Sequence, residues 1–91
     1  MDTATFFSYR SSMSPEQSRA ARGWLGWSQT ELATRARVSL STVRDFETRV
    51  RTPIANNFAA MRRAIEEAGI ECVDEDGKAA GIRQKPSPAA D

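Results

Sequence analysis

The 91-residue chain contains no histidine and a single cysteine, Cys72. Without histidine, the usual zinc ligand sets and imidazole acid–base catalysis are excluded. One cysteine cannot build an internal disulfide framework, and it fits a reducing compartment. No stretch approaches the roughly 18 apolar residues that a membrane helix needs, and the first residues lack the apolar segment of a signal peptide. A soluble cytoplasmic protein with no membrane association is therefore expected. There is also no glycine-rich phosphate loop and no carboxylate pair set for acid–base work, so neither an enzyme nor a cofactor is expected. The acidic run Asp74-Glu75-Asp76-Gly77 lacks the spaced ligands and closing glutamate of a calcium loop and reads as a solvated turn.

The formal net charge of +1 hides a strong asymmetry. Residues 15–65 carry nine arginines against Glu16, Glu31, Asp45 and Glu47, a balance of +5, whereas residues 66–91 carry a balance of −4. A basic body with an acidic appendage points to a polyanionic partner on one side of the molecule.

Residues 1–13 have little periodicity and read as a flexible arm. Ser14-Pro15-Glu16-Gln17 then combines an N-cap serine, proline at the first helical position, an early acid and a capping-box glutamine. A helix over about 15–25 follows, closed by Gly26. Ser28 to Glu31 forms a second capping box ahead of a helix of about nine residues carrying Leu32, Ala33 and Ala36 inward. Ser39 caps a third helix that contains Val43, Phe46 and Glu47. Two short helices joined by a three- to four-residue turn form a helix-turn-helix unit, in which Ala33 permits a close crossing. Beyond a basic loop ended by Pro53, a fourth helix over about 55–68 stops at Gly69. Asp74 to Gly77 reads as a turn, residues 81–84 as a returning strand, and 85–91 as a disordered tail. The expected core is Trp24, Leu25, Trp27, Leu32, Val38, Val43, Phe46, Ile54, Phe58, Met61 and Ile65; the tryptophans flank the first helix stop, where packing is favoured over base stacking. Arg62 and Arg63 are placed to pair with Glu66 or Glu67 along one helix.

Residues 19–33 (RAARGWLGWSQTELA), residues 38–47 (VSLSTVRDFE) and the Arg51-Thr52-Pro53 loop resemble the DNA-binding domain of the phage Cro and cI repressors and the wider XRE-type regulators. The resemblance spans residues 14–69. It implies an all-α fold, a four- to five-helix domain of Cro/cI type, here with a short C-terminal β-hairpin or strand extension over 70–84. It also implies a double-stranded DNA operator as partner, bound by a transcriptional repressor or activator. The main departure is Arg37, where the family often has glycine; arginine must then accept a positive φ or a slightly different turn, at a cost of about 1 kcal/mol.

A helix laid in the major groove offers its first residues to base edges. With Val43 and Phe46 inward, Leu40, Ser41, Arg44 and Asp45 project outward, with Thr42 beside them. Arg44 suits guanine O6 and N7, Leu40 a thymine methyl, and Ser41 several base edges. Asp45 either accepts from cytosine N4 or holds Arg44 or Arg49 in place. The resemblance makes Gln29 a backbone clamp, with Ser28 beside it, although a plain capping amide is equally consistent with its position. Arg37, Ser39, Arg49, Arg51, Asn56 and Asn57 complete the phosphate-contacting set. Arg22 and Glu47 resemble the internal ion pair that ties the first helix to the end of the third.

One reading helix covers too few base pairs to single out a site, so a homodimer on an inverted-repeat operator is expected. Ile70, Cys72, Val73 and Ile82 lie outside the helical core and are the candidate dimer contacts; alternatively the hairpin only caps its own domain. A second functional reading is an antitoxin-like module whose C-terminal segment occupies a protein partner while the helix-turn-helix regulates its own promoter.

Overall fold

The computed structural model describes residues 13–86, in which four helices precede a two-stranded antiparallel hairpin. The helices are α1 (Pro15–Leu25), α2 (Gln29–Ala36), α3 (Leu40–Glu47) and α4 (Ala55–Glu67); the strands are β1 (Ile70–Glu75) and β2 (Lys78–Gln84). The helical body is as expected, but the all-α description gives way to helices plus a defined hairpin. Of the arm expected over 1–13 and the tail expected over 85–91, residues 1–12 and 87–91 lie outside the described residues, and the Lys85 amide donates to the Gly69 carbonyl at 2.7 Å.

Local chemistry sets each boundary. At the start of α1 both halves of the capping box form: the Gln17 amide donates to Ser14 Oγ at 3.0 Å, and the Ser14 amide donates to Gln17 Oε1 at 2.8 Å. Gly26, at φ 71°, closes the helix. Only half of the second box forms. Ser28 Oγ accepts from the Glu31 amide at 3.0 Å, but the Glu31 carboxylate turns outward to Arg35 at 2.6 Å instead of back to the cap. Arg37 does adopt the left-handed conformation (φ 60°, ψ 42°), and Ser39 Oγ then caps α3 by accepting from the Thr42 amide at 3.1 Å. The hairpin turns through Asp76 and Gly77, both at positive φ, the two-residue turn whose twist suits adjoining strands. The strands accordingly run closer to the tip than expected: Asp74 and Glu75 belong to β1, and β2 begins at Lys78 rather than 81. Register skips between Val73↔Gly81 and Asp74↔Ala79, leaving Ala80 as the extra residue of a bulge.

Ala21, Leu32, Ala33, Ala36, Val43, Phe46, Met61, Ala64, Ile65 and Ile70 form the buried core, and Leu25, Trp27, Val38 and Phe58 pack at its margin. The Phe46 and Phe58 rings stand 5.3 Å apart and tilted, joining α3 to α4. Two expected core residues are outside it. Trp24 is 60% exposed because it lies at the flank of the arc that Gln17, Ser18, Ala21 and Leu25 turn inward. Ile54 is 69% exposed because it precedes α4 in extended conformation and so shares none of that helix's faces. Conversely Met13, expected in the arm, is buried.

The hairpin packs through β2 on α1 and through β1 on α4. Ile70 is fully buried, and Cys72 and Ile82 pack against the same core. Three of the four residues expected to bind a second copy thus cover their own domain. Burial pushes the Cys72 thiol up to about 11, which keeps it protonated at neutral pH. The attachment to α1 is polar as well: Gln17 Nε2 donates to the carbonyls of Val73 (3.0 Å) and Gly81 (2.9 Å) at the bulge. Gln17 is buried, so Gln17→Ala strips the partner from two shielded acceptors. The expected loss is about 1–3 kcal/mol of unfolding free energy in denaturant titrations, with hairpin amides losing hydrogen-exchange protection before those of α2. Unchanged protection in the hairpin would mean that apolar packing alone holds it.

Candidate functional site

The carboxylate of Glu47, the last residue of α3, is the fixed point of the site, and the residue is only 2% exposed. Arg22 grips it through two bonds, Nε to Oε2 at 2.9 Å and Nη2 to Oε1 at 2.7 Å. Ser18 Oγ donates to Oε2 at 2.5 Å and Gln29 Nε2 to Oε1 at 3.1 Å. Arg19 donates to the Glu47 carbonyl, and Arg22 Nη1 reaches the Trp27 carbonyl at 3.1 Å. Helices α1 and α2 therefore both hold the end of α3. Burial by itself would raise the carboxyl, but the hydrogen bonds from Arg22, Ser18 and Gln29, with the Arg22 charge, together keep it below the ordinary carboxylate value.

Held in this way, α3 turns Val43 and Phe46 inward and leaves Leu40, Ser41 and Arg44 exposed, with Thr42 and Asp45 half-buried beside them. The five residues expected to read bases share one face. At its start the Ser39 hydroxyl lies 3.1 Å from that of Ser41 and 2.8 Å from that of Thr42, a cluster that can donate or accept. Asp45 contributes its carbonyl to the following turn, accepting from the amides of Val50 (2.8 Å) and Arg51 (3.2 Å). Its carboxylate holds no arginine among the described residues. Arg49, at φ 63°, turns instead to Glu16 of α1, donating to both carboxylate oxygens at 2.7 Å. That bond holds the exposed Glu16 carboxyl below its ordinary value.

The remaining arginines divide cleanly. Arg35 pairs with Glu31 and lies over the Trp27 ring at 4.5 Å, Arg62 pairs with Glu66 as helical spacing suggested, and Arg83 pairs with Glu71 across the hairpin. Arg37, Arg44 and Arg51 have no side-chain partner among the described residues, nor does Arg63 on α4. The first three sit at the α2–α3 turn, on α3 and in the loop after α3. Beside Arg51, α4 begins at Ala55 without any side-chain cap, so its first amides face outward next to exposed Asn56 and half-buried Asn57. Uncapped amides carrying the positive end of a helix dipole favour an anion. Ser28 and Ser39 are exposed at the starts of α2 and α3. A shallow cleft of about 220 Å³ separates Ser41, Thr42 and Asp45 from Arg51, Pro53, Ile54 and Asn57.

The expected phosphate set is thus split. Arg51 and Asn57 face α3 across the cleft, with Arg37 at the α2–α3 turn and Asn56 at the start of α4, whereas Gln29 is bonded to Glu47 and Arg49 to Glu16. The long-range contacts of Gln17, Ser18 and Arg19 were missed. A buried serine and glutamine in α1 carry no signal in helical periodicity, and their partners lie 29 residues or more away in the chain.

Two measurements test this arrangement. Arg22→Ala leaves a buried carboxylate unpaired and is expected to cost about 3 kcal/mol or more at neutral pH. Glu47 is held low by its partners, so its stabilising effect is present above the ordinary value of 4.5 and lost as pH falls through the folded value. Without Arg22, burial dominates and the deficit should shrink below pH 4.5; a pH-independent deficit would contradict the pairing. Arg37→Gly removes left-handed strain and is expected to raise stability by up to about 1 kcal/mol in thermal melts.

A family model described as helix-turn-helix matches residues 19–66, just over half of the chain. No curated protein matches it.

Proposed function

The chain belongs to the helix-turn-helix family, as an XRE-type DNA-binding regulator, and from that membership we propose that it reads an inverted-repeat operator as a homodimer, with α3 in the major groove. The observation that carries this reading is the segregation of the arginines. Most of those on other surfaces are neutralised by carboxylates, Arg63 on α4 excepted, while Arg37, Arg44 and Arg51 stand unpaired around α3. An anionic partner on that face meets three free guanidinium groups and the uncapped start of α4 together.

The groups divide by task. Arg44 projects from α3 with nothing holding it and can donate two bonds to guanine O6 and N7; Leu40 packs on a thymine methyl, and the Ser41 and Thr42 hydroxyls take either kind of base edge. Asp45 holds no arginine, so its carboxylate is free to accept from cytosine N4. Arg37, Arg51, the Asn56 and Asn57 amides and the first turn of α4 take phosphates, which position the helix without conveying sequence. The Glu47 cluster touches no base; it fixes the tilt at which α3 enters the groove.

Selection of bound duplexes from a random pool, followed by titration of variants, tests the division. Arg44→Ala is expected to cost about 1–3 kcal/mol on the preferred site and to relax choice at one base pair. Arg51→Ala should weaken all duplexes alike and lower the salt slope by about one. An unaltered base preference in Arg44→Ala would overturn the assignment of the reading face.

A further inference from the structure

Arg49 has no task in the function proposed above, although it lies in the loop after α3, two residues from Arg51. Its side chain turns back to α1, where Nη2 donates to both oxygens of Glu16 at 2.7 Å. Arg19, the other cation at this carboxylate, stands 3.7 Å away and spends a guanidinium bond on the Glu47 carbonyl. Arg49 is therefore the chief partner of Glu16, and its bond is the foremost reason that this carboxyl sits below its ordinary value. The backbone at residue 49, at φ 63°, suits glycine better. Whatever arginine contributes there comes from its guanidinium.

We propose that Glu16 competes with DNA for Arg49, withholding a guanidinium that would otherwise grip a backbone phosphate, and so limits how tightly the protein holds any duplex. The proposal rests on the reading of α3 as the groove-contacting helix. Reach follows from the loop. The Arg49 amide is bonded to the Phe46 carbonyl, and the Val50 and Arg51 amides to that of Asp45, so residues 49–51 are wound onto the end of α3. The Cα atoms of residues 49 and 51 can be no more than about 7 Å apart. Arg51 borders the cleft beside α3, and a strand that meets Arg51 passes within reach of Arg49 once its side chain is released.

Both partners are exposed, Arg49 at 64% and Glu16 at 56%, and an exposed ion pair is weak and screened by salt. A phosphate contact, by contrast, also releases a counterion from the duplex. What keeps Arg49 on Glu16 is the consequence of giving it up. The carboxylate would then stand beside the backbone with only Arg19 near it, like charge against like. None of this distinguishes one base from another, since phosphate contacts carry no sequence information. The outcome is a looser hold on every duplex with the base preference intact.

The test is the salt dependence of binding to a mixed-sequence duplex and to a selected operator. It compares the native chain with Glu16→Gln, Arg49→Gln, the two combined, and Glu75→Gln. All three positions are exposed, and thermal melts confirm that each variant is folded. Glu16→Gln is expected to tighten both duplexes about threefold and to steepen the salt slope by about 0.9, one further phosphate. In the Arg49→Gln background the same change should leave the slope where it was. Glu75→Gln makes the same change in net charge on the hairpin and should not steepen the slope either. Equal steepening with and without Arg49, or in Glu75→Gln, would mean general repulsion and overturns the proposal. So does a Glu16→Gln slope equal to the native one, or an altered base preference in that variant. Should no duplex be bound, the proposed function falls, and immobilised heparin, a polyanion without bases, still decides the restraint. Glu16→Gln should elute at higher salt than the native chain, and the combined variant, whose net charge is native, should not. Equal elution of Glu16→Gln and the native chain overturns the proposal there as well.

Discussion

A single buried carboxylate organises this molecule. Glu47 lies at the end of α3 with its two oxygens shared among Arg22, Ser18 and Gln29, and its own carbonyl bonded to Arg19. Four residues from two helices therefore converge on one residue of a third. A charge in that position is unfavourable unless nearly every lone pair is met, so the geometry has little freedom. The helix that carries Glu47 contributes only eight residues, too few to hold its own direction. Its orientation comes from this polar anchor at one end and from the Phe46–Phe58 contact beneath it.

The same logic extends outward from the anchor. Nine arginines in the helical body could have formed an undifferentiated basic surface. Instead carboxylates placed on α1, α2 and α4 neutralise most of those away from α3, and Arg49 in the loop after it, and they leave Arg37, Arg44 and Arg51 uncompensated. Contrast between paired and unpaired surfaces, rather than total charge, gives the protein a side. Even the unfavourable backbone of Arg37 is consistent with this: a glycine would relax the turn but would remove one of the three free guanidinium groups.

The helical scaffold was legible in the sequence because its signals are local. Ser14, Ser28 and Ser39 mark three helix starts, Gly26 marks a stop, and the apolar spacing identifies most of the core. The pairing of Arg22 with Glu47 and the positive φ of Arg37 were legible only through resemblance to a family. What escaped was decided by distant partners. Glu31 fits a capping box until Arg35 competes for it, and nothing in the local sequence announces the bonds of Arg49 to Glu16 and of Gln29 to Glu47. Trp24 was placed in the core because it flanks the first helix stop, although its angular position on α1 puts it on the rim. The strands were set too far from the tip because acidic residues before a glycine look like turn whether or not they are paired across a ladder.

Gln17 joins the two extremes of the described fold. Its backbone and Oε1 complete the cap at the start of α1, and its Nε2 holds carbonyls 56 and 64 residues further on. For a chain leaving a ribosome this has a consequence in time. The first helix can form early, but its glutamine lacks its full pair of long-range acceptors until β2 has emerged, because one is Val73 of β1 and the other Gly81 of β2. Synthesis cut short within the hairpin would thus yield a chain with all four helices and only part of the closing contact. The amide at residue 17 ties the part of the domain made first to the part made last.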